Sequence, residues 1–138
     1  MSAFESTAAD ILRRGFTIRF RAMGDSMHPS IRSGEHVHVA PAAPRSLQQG
    51  DIVLARATRG LTAHRVVRVS PTSITTRGDN ALIRDAALHH SAILGRITHI
   101  EREGATVTVP SAPLRIRVIA RRLHRHLFSL SQLIRSFV

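Results

Sequence analysis

From Phe16 to Val109 the chain is written in short runs of alternating apolar and polar residues separated by turns rich in glycine or proline. A period of two places every second side chain on the same face of a strand, so this rhythm points to an antiparallel sheet folded on itself. Phe16-Thr17-Ile18-Arg19-Phe20-Arg21 alternates apolar with basic or hydroxyl residues, and in residues 35–40 Val37 and Val39 stand opposite His36 and His38. A loop carrying Pro41 and Pro44 leads to Gly50-Asp51, after which residues 52–57 and 61–69 read as a hairpin around Gly60. Further strands are expected at residues 73–77, 92–102 and 105–109, the last two joined at Gly104.

The flanks obey a different period. Ser2-Ala3-Phe4-Glu5 has the form of a capping box, and the short helix it starts should run to about Arg14 and stop at Gly15. Beyond Pro110 and Pro113, Ile116, Ile119, Leu123, Leu127, Leu130, Ile134 and Phe137 recur every three or four residues. That spacing predicts an amphipathic helix of about six turns, with Arg117, Arg121, Arg125 and Arg135 on its opposite face. The expected organisation is an N-terminal helix over 1–15, a sheet domain over 16–110 and a basic C-terminal helix over 111–138. At 138 residues the chain has room for one core and not for two.

The formal net charge is +11, and all twenty basic residues are arginine. Such a charge attracts nucleic acid, anionic lipid or acidic ligands. Nucleic acid is the unlikely partner, because Trp and Tyr are absent and five Phe are the only aromatics available for base stacking. The C-terminal segment's pattern fits first a helix packed on the sheet or on a second copy, and next a helix lying on an anionic membrane, with Arg supplying attraction and Leu, Ile and Phe the burial. Residues 1–22 carry Glu5, Asp10, Arg13, Arg14, Arg19 and Arg21 in place of a signal peptide's apolar stretch. No window offers the roughly 18 apolar residues of a spanning helix. The expected location is therefore the cytoplasm or, peripherally, the inner membrane surface.

Ser26, in Gly24-Asp25-Ser26-Met27-His28-Pro29, has the setting of a nucleophile, though a Gly-x-Ser string alone is equally a turn serine. A serine hydroxyl attacks well only when a neighbouring base accepts its proton. Lysine is absent, so a Ser–Lys pair is excluded, and histidine is the natural base, with an ordinary pKa of about 6.5. His64, in His64-Arg65-Val66-Val67, is the candidate. A metal or other cofactor is not expected: the chain has no Cys, and His36-x-His38 and His89-His90 would have to converge without a carboxylate cluster.

Four segments occur in order with short spacings: Gly24-Asp25-Ser26-Met27-His28-Pro29-Ser30, Gly50-Asp51-Ile52-Val53, the His64 run, and Arg77-Gly78-Asp79-Asn80. Together they resemble the signal-peptidase-like serine peptidases (S24/S26, the LexA/signal peptidase superfamily) over roughly residues 16–100. The likeness is closest to the type I signal peptidases of archaea and the endoplasmic reticulum, which use histidine as the base. The resemblance implies a mostly-β, barrel-like antiparallel fold. It also implies a serine endopeptidase acting on an extended peptide or precursor protein, with small residues such as Ala before the cut.

By the same resemblance Ser26 is the nucleophile, His64 the general base, and Asp85 or Asp79 the carboxylate that orients the imidazole. The two are nearly level, with Asp85 slightly preferred at the ring and Asp79 as a site organiser. Met27 and Pro29 belong to the nucleophile box and are expected at the substrate. Many signal peptidases carry a serine two residues before the nucleophile; Gly24 stands there and supplies no hydroxyl. Two other readings fit the sequence: a non-catalytic, peptide-binding or regulatory member of the same fold, and a basic membrane-surface protein.

Overall fold

The computed structural model describes residues 2–109. The C-terminal helix expected over 111–138 lies outside the described residues. One helix, α1 (Ala3–Arg13), precedes eight strands: β1 (Ile18–Arg21), β2 (His36–Ala40), β3 (Ile52–Ala57), β4 (Gly60–Val69), β5 (Ser73–Arg77), β6 (Leu88–His89), β7 (Ile93–Arg102) and β8 (Ala105–Thr108). All pairings are antiparallel, and the strands follow the order β1-β2-β7-β3-β4-β5-β6, with β8 beside the far half of β7. The mostly-β architecture with a short N-terminal helix is the one the alternation predicts.

The Ser2 hydroxyl caps α1 by accepting from the Glu5 amide at 3.2 Å, and Gly15 takes the left-handed conformation (φ +87°) that ends it. Ala8, Ala9 and Leu12 on one face of the helix are buried, and Leu12 joins the sheet's core, so α1 packs onto the sheet.

Strand β3 explains why the sheet must curl. Its run Ile52-Val53-Leu54-Ala55 is buried on both faces. Ile52 and Leu54 join Leu12, Met27, Ile31, Val37, Val39, Ile97 and Ile100 in one cluster. Val53 and Ala55 join Leu47, Val66, Ile74 and Ile93 in another. Each fully buried Val, Leu or Ile contributes about 1.5–3 kcal/mol relative to exposure, so a strand filled on both faces anchors the molecule at its middle.

The β3–β4 register then sets the site. Val53 faces His64, Leu54 faces Ala63, Ala55 faces Thr62 and Ile52 faces Arg65. Directly paired residues share a face. His64 and Thr62 therefore lie on the Val53 side, while Ala63 and Arg65 lie on the Leu54 side. Two neighbours in sequence point to opposite faces of one sheet.

Candidate active site

Ser26 sits, exposed, in the loop between β1 and β2, five residues after β1 ends at Arg21. Gly24 enters the loop with φ +87°, and the His28 amide donates to the Asp25 carbonyl at 3.0 Å. From the other side the Asn80 amide donates to the Ser26 carbonyl at 2.9 Å, and Asn80 Nδ2 to the Asp25 carbonyl at 3.2 Å. The Gly78–Asn80 turn thus clasps the serine loop. Gly78 is demanded by this approach: a Cβ there would stand 2.6 Å from the Ser26 carbonyl oxygen and 3.3 Å from His64 Nε2.

His64 presents its two ring nitrogens to different partners. Nδ1 lies 2.6 Å from Asp85 Oδ2. An ionised carboxylate only accepts, so Nδ1 carries the proton and Nε2 keeps its lone pair toward the Gly78–Ser26 side. Asp85 is itself fixed, accepting from Thr76 Oγ1 at 2.7 Å while its amide donates to the Thr76 carbonyl at 2.8 Å. Ser26 and His64 line one cleft of about 580 Å³ together with Phe20, Met27, Leu61 and Ala63. Among the described residues no hydrogen bond joins the Ser26 hydroxyl to the ring. The fold brings the two to one cleft, and in unliganded sites of this kind the catalytic hydrogen bond often tightens only when substrate binds.

Asp79 is elsewhere. Its carboxylate is buried and takes a two-pronged grip from Arg65, with Nε to Oδ1 at 2.8 Å and Nη2 to Oδ2 at 2.7 Å. Arg65 also donates to the Gly50 carbonyl at 2.7 Å and to Ser30 Oγ at 3.3 Å. The Asp79 amide points at Met27 Sδ at 3.4 Å. This ion pair ties the serine loop, the Gly50 turn and the Gly78–Asn80 turn to one strand.

Of the two residues expected at the substrate, Met27 is buried in the floor of the cleft, where its side chain packs in the core. Pro29 does not line the cleft; its carbonyl faces Arg102 Nη2 at 3.5 Å, on the scaffold side of the loop. Sequence reasoning missed Arg65, Thr76 and Ser30. It also missed the Glu35–Arg102 pair, in which Arg102 donates to both Glu35 oxygens at 2.5 and 2.8 Å and to the Ser30 carbonyl at 3.1 Å. Burial pushes the Glu35 carboxyl up, but hydrogen bonds from Arg102 and the Arg32 amide outweigh it and hold the group below its ordinary value. The only signal for Arg65 was its place next to His64.

The histidines named as conceivable metal ligands lie apart. His38 bonds Glu101 at 2.7 Å, and the His89 and His90 rings lie tilted, 6.3 Å apart, at the end of β6. Among the described residues no three His, Asp or Glu side chains gather as a metal would need, and no helix is long and apolar enough to cross a membrane.

A family model described as Peptidase S24-like matches residues 3–98, from α1 through the pairing of β7 with β3. No curated protein gives a significant match to the chain.

Proposed function

The chain belongs to the Peptidase S24-like family, and from that premise we propose that it is a serine endopeptidase with Ser26 as nucleophile and His64 as general base. The observation that carries this reading is the 2.6 Å contact between His64 Nδ1 and Asp85, with Nε2 left facing the Ser26 segment. Ser26 Oγ attacks the scissile carbonyl while Nε2 takes its proton. The tetrahedral oxyanion draws on the Ser26 amide. His64 then hands the proton to the leaving amine, the C–N bond breaks, and water hydrolyses the acyl-serine by the same relay. Asp85 fixes the tautomer and stabilises the imidazolium. Asp79 does none of this chemistry; with Arg65 it holds the serine loop in place.

The substrate is an extended peptide. Residues 60–64 of β4 pair with β3 along one edge, and β5 begins pairing only at Arg65. An added strand can hydrogen-bond along the open edge, with β1 on the far side of the cleft. A histidine base suits the type I signal peptidase branch of archaea and the endoplasmic reticulum, and the preference for small residues before the cut rests on that likeness.

Gly24, which offers no hydroxyl two residues before Ser26, favours one competitor, a peptide-binding module that has lost turnover. Incubation with a peptide library rich in Ala-x-Ala sites, read by mass spectrometry, separates the two. Cleavage by wild type that vanishes in Ser26→Ala is the expected result. Peptide retention without cleavage would establish the module instead.

A further inference from the structure

His64 and Thr62 line two cavities. One is the cleft that holds Ser26; the other, of about 280 Å³, opens on the opposite face of β4. Its walls include Val53, Ala55, Ala57 and Leu88, with Thr76 and Asp85 beside His64. The register explains the pair of cavities. Leu61 and Ala63 face the Leu54 side and the cleft, whereas Thr62 and His64 face the Val53 and Ala55 side and the second cavity. The partition between them is the stretch of β4 whose outer edge has no partner strand among the described residues.

A peptide strand added to that edge continues the pleat, so its side chains alternate between the two faces. The residue whose carbonyl meets Ser26 points into the cleft that Ser26 lines. Its predecessor points the other way. We propose that the second cavity is a specificity subsite for this preceding residue, and that it takes a medium-sized apolar side chain such as Val, Leu or Ile. The inference rests on the peptidase reading above for the placement of the peptide.

Chemistry selects the guest. Val53, Ala55, Ala57, Ala86 and Leu88 give the cavity an apolar wall, with Arg59 also lining it, and Asp85 Oδ2 accepts from both His64 and Thr76. An apolar side chain rests on that wall without stranding a donor or acceptor, whereas a carboxylate would give up water beside Asp85 in a partly buried place. Glycine would leave the cavity unfilled. Discrimination on apolar size in such pockets runs at about 10- to 200-fold per methylene-scale change.

The test is a peptide series varied only at this residue, measured as kcat/KM with wild type, Ala57→Phe and Leu88→Ala, alongside binding of the same peptides to Ser26→Ala. Ala57 lies at the hairpin end of β3, away from the reacting atoms. Wild type should prefer Val, Leu or Ile over Gly and Asp by about tenfold or more. Ala57→Phe should turn that preference toward Gly and Ala, and Leu88→Ala should admit Phe, with the preference at the cut residue unchanged in both. If one variant fails to fold by circular dichroism, the other carries the test. Cleavage with a flat profile at this residue overturns the subsite and leaves the peptidase reading standing. Selective binding to Ser26→Ala without cleavage by wild type supports the subsite and overturns the peptidase reading. Peptides neither bound nor cut overturn both.

Discussion

His64 and Arg65 are neighbours on one strand, and each holds a carboxylate from the same short stretch of chain, yet the two pairs do opposite work. The Arg65–Asp79 side chains are 4% and 1% exposed, and both carboxylate oxygens are gripped. The His64–Asp85 side chains are 14% and 34% exposed, joined by a single contact at a cavity wall. A buried, two-pronged pair fixes geometry, because separating it strands a charge in a poor solvent. A half-open single contact leaves the imidazole within reach of a ligand in the cleft. Burial, and not the chemistry of the pair, separates the brace from the pair we propose as the relay.

The comparison breaks most sharply at Asp85. Asp85→Asn should lower kcat by about 10⁴, through loss of the correct imidazole tautomer. KM and the thermal midpoint should stay close to wild type, and the pH profile should change. A fall in stability of the same order as the fall in rate would make Asp85 a structural residue. Asp79→Ala is the counterpart. Removing one member of the buried pair should cost about 3–5 kcal/mol in chemical denaturation, with activity lost only as the loop loses its place. An unaltered midpoint would show that Arg65 holds the turns without it.

A smaller effect sharpens the joint between the pairs. Gly78→Ala puts a Cβ 2.6 Å from the Ser26 carbonyl, which should cost about 1–3 kcal/mol as the overpacked turn shifts. Activity should fall further than stability, because the displaced atoms adjoin Ser26 and His64. Equal losses in the two measurements would deny Gly78 a part in aligning them.

The least effect is expected at Glu35, whose carboxyl is held below its ordinary 4.5. A lowered pKa contributes stability above the unfolded value, and that contribution disappears as pH falls through the folded one. Glu35→Gln should therefore lower the unfolding free energy at pH 7 by no more than about 1 kcal/mol, with the two proteins converging below pH 4.5. A constant difference across that range would assign the effect to packing.

The strands were legible because alternation and turn residues act locally. Residues 52–57 and 73–77 fall where expected, and β4 starts one residue early, at Gly60. β6 escaped notice because two residues show no period. The site was legible only in parts. Ser26 and His64 stand in recognisable strings, but which carboxylate meets the ring depends on how residues 78–87 fold back on β5, a matter of tertiary path. Arg65 and Arg102 drew no role from the sequence, since an alternating pattern cannot tell a solvated arginine from one that buries its charge against a distant carboxylate. A motif names neighbours in sequence and not their directions: the turn after Ser26 sends Met27 into the core and the Pro29 carbonyl toward Arg102.

The most direct measurement is acylation of Ser26 itself. Wild type and His64→Ala would be incubated with the 4-nitrophenyl ester of an Ala-ending peptide, quenched in acid, and analysed by intact mass and peptide mapping. An acyl group on Ser26 in wild type, greatly reduced in a folded His64→Ala, is the predicted result. Acylation at another residue, or on Ser26 to the same extent without His64, would contradict the assignment of nucleophile and base.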